Sequence, residues 1–163
     1  MKRLLIFTLS LSCTLSALGQ NPTDSIGFTN KAEAKNLTID GKKEGKWISY
    51  EDDKFNSTAD TNAPYYALVV YKTGHQIGTI RKYYKSGKLC TVNPCTVDGI
   101  KNGMSKAYYE NGKLEGEVPY TYDKKNGVMK IYYENGKLKS ESTFVNDKLV
   151  KVKNYGEKGK EIK

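Results

Sequence analysis

The feature that most constrains this chain is a repeat. Gly127-Val128-Met129-Lys130-Ile131-Tyr132-Tyr133-Glu134-Asn135-Gly136-Lys137-Leu138 has a near twin at residues 103–114 and a third copy at 78–89. Their pairs Tyr83-Tyr84, Tyr108-Tyr109 and Tyr132-Tyr133 stand 25 and then 24 residues apart. A degenerate copy opens at Gly45-Lys46-Trp47-Ile48-Ser49-Tyr50, and a partial one covers 150–155 with Gly159-Lys160 behind it. A fixed period in the twenties marks a stack of one supersecondary unit. Such a unit cannot bury its apolar face alone and depends on its neighbours.

Each unit reads as two strands and two turns. Residues 128–133 are β-branched and aromatic with no breaker, which suits a strand. Glu134-Asn135-Gly136 supplies a tight turn, because Asn and Gly tolerate positive φ. The repeat-turn glycines are Gly87, Gly112 and Gly136. Residues 137–145 return as a strand, with Leu138, Ser140, Ser142 and Phe144 expected on one face and Lys137, Lys139 and Glu141 on the other. Leu114, Gly116, Val118 and Tyr120 take the matching places one repeat earlier. Asn146-Asp147-Lys148 and 123–126 are polar turns into the next unit. The first copy carries a polar insertion at 51–63, read as a mobile loop, and Pro64-Tyr65-Tyr66-Ala67-Leu68-Val69-Val70-Tyr71 follows as the most apolar strand. No stretch after the first twenty residues keeps an apolar period of 3.6. The fold class is all-β: an elongated, twisted antiparallel sheet of stacked β-hairpins, about ten strands and one sheet thick.

These residues resemble the MORN-repeat variant family, bacterial repeat proteins that include antitoxins of the YwqK type. The resemblance covers residues 40–163. It rests on Gly45, Gly78, Gly103 and Gly127, on Tyr50, Tyr84, Tyr109 and Tyr133, and on the three turn glycines. It implies a MORN-like sheet and protein binding, in some members beside a secreted toxin. The better-known MORN repeats are similar and are linked to membrane-associated scaffolding. This chain departs from them in its longer, more variable spacing and its single Trp.

The first residues indicate a compartment. Met1-Lys2-Arg3 is a positive start, an apolar stretch runs from Leu4 to about Leu15, and Ala17-Leu18-Gly19 places small residues before Gln20. That is the layout of a signal peptide cut after Gly19, and it predicts export to the periplasm, envelope or exterior. A competing reading makes Cys13 a lipidated residue, although Ser10 stands where a lipobox wants an apolar side chain. Residues 20–39 are polar and are expected to be disordered, with the repeat domain spanning 40–163.

Cleavage would remove Cys13 and leave Cys90 and Cys95. An even count in an exported chain favours a bridge, and Cys90-Thr91-Val92-Asn93-Pro94-Cys95 can close around Asn-Pro. Two unbridged thiols are the alternative. The net charge is +9, of which Lys2 and Arg3 supply two. Lys88, Lys113 and Lys137 follow the turn glycines and should line one edge, where lysine keeps an open sheet soluble.

No catalytic, cofactor-binding or metal-ligating constellation is visible. The single histidine, His75, reads as a turn residue. The chain is therefore expected not to be an enzyme and to need no cofactor. Adjacent strand residues face opposite ways, so Tyr84, Tyr109 and Tyr133 form one ladder and Tyr83, Tyr108 and Tyr132 another. The first set is the candidate interface for a partner protein, a toxin included. Anionic lipid or cell-wall polymer is the rival ligand, self-association through sheet edges remains open, and export argues against nucleic acid.

Overall fold

Two turn types recur along the chain and set the architecture. The computed structural model describes residues 26–162. Its strands are β1 (Leu37–Ile39), β2 (Lys42–Glu51), β3 (Ser57–Thr58), β4 (Tyr65–Lys72), β5 (His75–Tyr84), β6 (Leu89–Asn93), β7 (Gly103–Tyr108), β8 (Leu114–Thr121), β9 (Lys124–Lys125), β10 (Gly127–Tyr132), β11 (Leu138–Val145), β12 (Lys148–Tyr155) and β13 (Glu161–Ile162). The first turn type is a two-residue link with both φ values positive, at Asp40-Gly41, Thr73-Gly74, Tyr122-Asp123 and Asn146-Asp147. Its twist matches that of the flanking strands. The second type carries the repeat glycine. Gly136 N–H donates to Tyr133 O, and Tyr133 N–H donates to Lys137 O, both at 2.8 Å. The same two bonds recur at Tyr84-Gly87-Lys88, Tyr109-Gly112-Lys113 and Gly156-Gly159-Lys160.

Strand order follows chain order in one antiparallel sheet of thirteen strands, with β3 beside β2 and β9 beside β8. The count exceeds ten because β3, β9 and β13 are two-residue strands that sequence patterning does not resolve. The all-β expectation holds. One detail of the facing does not. A register shift adjoins three of the four glycine turns, at Lys82/Tyr83, Ala107/Tyr108 and Ile131/Tyr132. Leu138 lies opposite Tyr132 while Ser140 lies opposite Ile131. Because Ile131 and Tyr132 face opposite ways, the bulge puts Leu138 and Ser140 on different faces. The same shift separates Leu114 from Gly116.

The core lies at the N-terminal end. Leu68 is fully buried on β4 and packs with Phe28 and Tyr83, and Ile48, Tyr66, Val70 and Leu89 surround them. Phe28 comes from the segment expected to be disordered. Its described part, from Ile26 on, crosses this face instead. Thr79 N–H donates to Ile26 O at 2.8 Å, Lys35 N–H donates to Lys46 O at 2.9 Å, and Glu33 pairs with Lys46. The physical reason is Phe28 itself, an apolar ring that the polar average of the segment conceals. The insertion at 51–63 is also built. Glu51 ends β2, β3 pairs back onto Tyr50 and Glu51, and the Asp52 carboxylate accepts the N–H groups of Lys54 and Asn56. Beyond Cys95 the only buried residues among those described are Ser105 and Gly116. From β7 onward the sheet is a single layer, and among the described residues nothing covers either face. The expected signal segment, its cut after Gly19 and Cys13 lie outside the described residues.

Candidate binding faces

The tyrosines expected to form an interface are first of all joints. Tyr84 Oη donates to Tyr108 O at 2.7 Å, Tyr109 Oη to Tyr132 O at 2.7 Å, and Tyr133 Oη to Tyr155 O at 2.8 Å. Each repeat thus reaches one period forward and ties its turn to the strand end of the next. Gly156 stands at the corresponding place in the last copy, beside Tyr155, and the relay stops there. All three rings are half-buried. Burial pushes the Tyr84 and Tyr109 hydroxyls above the usual tyrosine range. Their hydroxyls are used internally, and only the half-exposed rings remain for a partner.

The opposite turns are clasped in the same periodic way. Asp123 N–H donates to Lys101 O at 2.8 Å while its carboxylate accepts Lys101 N–H at 2.7 Å. Asp147 does the same to Lys125, at 2.9 and 2.8 Å. Sequence patterning marks these residues only as polar turn, although Lys101 and Lys125 recur at the repeat period.

The two sheet faces differ in chemistry. On the face of Tyr108 and Tyr132, cross-strand partners run Lys106, Glu117, Lys130, Glu141, Lys153. Charges alternate in sign across five strands. Tyr132 Oη and Tyr155 Oη add bonds to Glu117 and Glu141, at 3.2 and 3.1 Å. Such pairs hold a sheet together with little net field. Sequence reasoning misses this ladder, since its members come from different strands of each repeat.

The relay face, shared by Tyr84, Tyr109 and Tyr133, is hollow. Small residues recur there, and Ser105, Ala107 and Gly116 floor a trough of about 280 Å³ walled by Val118, Tyr120 and Ile131. A Cβ at Gly116 would stand 2.8 Å from Ile131 Cδ1 and 3.2 Å from Lys130 O, so a side chain there would have to push the tip of Ile131 aside. Ser105 Oγ is buried without a partner at the same place. Toward the N-terminal end a second hollow of about 350 Å³ holds the Glu51–Lys82 pair, 2.6 Å apart, between Lys43 and Lys101. Lys43 is pinned over the rings of Trp47 and Tyr71, and Lys101 over Tyr120.

The cysteine bridge is corrected. Cys90 and Cys95 are two buried, unbonded thiols. Residues 89–93 form strand β6 rather than a loop around Asn-Pro. Cys90 lies beside Tyr84 while Cys95 N–H donates to Gly78 O at 3.1 Å, six residues away along β5 and so about 20 Å, and a bridge needs Cα atoms within ~7 Å. Burial raises both thiols, the Tyr84 hydroxyl beside Cys90 partly opposing this. His75 begins β5, after the Thr73-Gly74 turn. Lys88, Lys113 and Lys137 are exposed along one edge. Glu110, Glu134 and Glu157 alternate with them, so that edge carries mixed charge. Among the described residues no group of His, Cys, Asp and Glu could hold a metal ion, and no helix is long and apolar enough to cross a membrane.

Comparison with known families gives two matches. The family described as MORN repeat variant matches residues 101–122 and 125–146. Both matches begin at a lysine clasped by the following turn aspartate, so the matched unit coincides with the structural one. No curated protein and no solved structure matches the chain.

Proposed function

We propose that this chain is an exported, non-catalytic repeat protein that holds a partner protein against the relay face of its sheet. The carrying observation is the trough over Ser105, Ala107 and Gly116. It is hollow, mostly apolar, uncovered by any second layer among the described residues, and set on a scaffold braced by the tyrosine relay. A pre-formed hollow walled by Val118, Tyr120 and Ile131 is where a partner's anchoring side chains bind with little ordering cost. MORN repeats in general are associated with protein or membrane binding, which agrees with this reading. The narrower form of the proposal is antitoxin-like masking of an exported toxin, raised by the family resemblance. The mixed charge of the lysine edge favours a protein over an anionic surface.

Affinity capture from the cell envelope tests it, with the chain from Gln20 as bait at low and at about 0.5 M salt, where charges more than a few ångströms apart are screened. One dominant protein, retained in salt and lost on Ala107→Arg, is expected. Lipid or wall polymer released by salt, equally from both baits, would overturn the reading.

A further inference from the structure

The two ends of the sheet are finished differently. At the N-terminal end Asn36 imitates a strand against β2. Its amide donates to Ile48 O at 3.0 Å and accepts Ile48 N–H at 2.9 Å. Next to it β1 and β3 pair with the rest of β2. At the other end β13 pairs only with Asn154 and Tyr155 of β12. Among the described residues nothing pairs with 149–153 on the side away from β11.

That free stretch retains the geometry of an internal repeat. Lys125 has both backbone groups clasped by Asp147, whereas Leu149, at the same place one repeat on, has no such clasp. Gly156 gives its N–H outward to Lys160 O at 2.8 Å, so the alternation of antiparallel bonding also turns Asn154 and Val152 outward. Leu149, Val150 and Val152 are 50, 53 and 46% exposed. The charge ladder stops here as well, on Lys153, whose inner neighbour is Glu141. By the rule of the ladder the next residue is acidic, a place that Glu161 of β13 reaches only diagonally, at 3.5 Å.

We infer that the 149–153 edge of β12 takes an extended strand from a partner, with an acidic residue opposite Lys153 and a small or apolar residue opposite Val152. The match of free backbone groups to the unfilled place directly opposite Lys153 carries this. A second copy of the chain is the poorer occupant. Two β12 edges paired antiparallel about Val152 would set Lys151 of each against Lys153 of the other, like charges directly opposite. The edge is separate from the trough, so either surface stands without the other.

The repeat supplies its own probe. Strand β11, Leu138–Val145, pairs with the internal counterpart of β12 through Glu141 opposite Lys130. A synthetic peptide of that sequence is titrated into the isotope-labelled chain, and amide shifts are followed by NMR. Saturable shifts confined to 149–153 are expected, with slower amide exchange at Leu149 and Val152. Replacing the peptide's glutamate by lysine should weaken binding about fivefold, and Lys153→Glu should invert that preference, read below a melting temperature that the like charge set against Glu141 lowers. Absence of saturable shifts there, equal binding of both peptides, or a dimer in sedimentation abolished by Val152→Pro would each overturn the inference.

Discussion

A hydroxyl held against a carbonyl contributes little by itself, but here the bond recurs at Tyr84, Tyr109 and Tyr133. Tyr109→Phe removes one joint and leaves Tyr132 O without its donor. It should lower unfolding stability by about 1 kcal/mol, read from urea denaturation, while Tyr122→Phe, at a ring 69% exposed, should change nothing. Burial also pushes up the hydroxyls of Tyr84, Tyr109, Tyr132 and Tyr155 and the thiols of Cys90 and Cys95. The folded chain therefore holds these protons more tightly than the unfolded one. Their contribution is whole below the unfolded values, about 8.5 for Cys and 10 for Tyr, and is lost as pH rises through the folded ones. Denaturation midpoints measured from pH 7 to 11 should stay level to about pH 8.5 and then fall.

The turns and bulges decide which side chains meet. Gly112 has φ +85°, and a Cβ at this position would meet nothing within 4 Å, so Gly112→Ala brings no steric clash. Its cost is conformational, about 1 kcal/mol, and should appear as a lowered melting temperature with unchanged binding. The repeat units, the glycine turns and the opposed tyrosine ladders are legible in the sequence, because they depend on local propensity and period. The facing of Leu138 and Leu114 is not. A bulge of one residue leaves no mark in composition, yet it reverses the alternation. The burial of Phe28, the clasp by Asp123 and the alternation from Lys106 to Lys153 depend on which strands become neighbours, so no single segment displays them. The expected bridge between Cys90 and Cys95 fails for the same reason, since pairing with β5 and β7 extends β6.

As a whole the sheet is two regimes joined by continuous pairing. The N-terminal strands carry a core around Leu68 beneath the Phe28 segment, and the later strands stand as a bare layer held by relay, clasp and charge ladder. A bare layer is weakly stabilised by burial and well suited to presenting surface. In such a layer the tyrosines brace the sheet while the trough binds. Binding of the captured envelope protein by Tyr109→Phe and by Ala107→Arg, each with its melting curve, separates the two roles. Tyr109→Phe should melt lower and bind as the parent does below its transition, while Ala107→Arg should melt as the parent does and fail to bind. Loss of binding by well-folded Tyr109→Phe with retention by Ala107→Arg would contradict this division and return the interface to the tyrosine row.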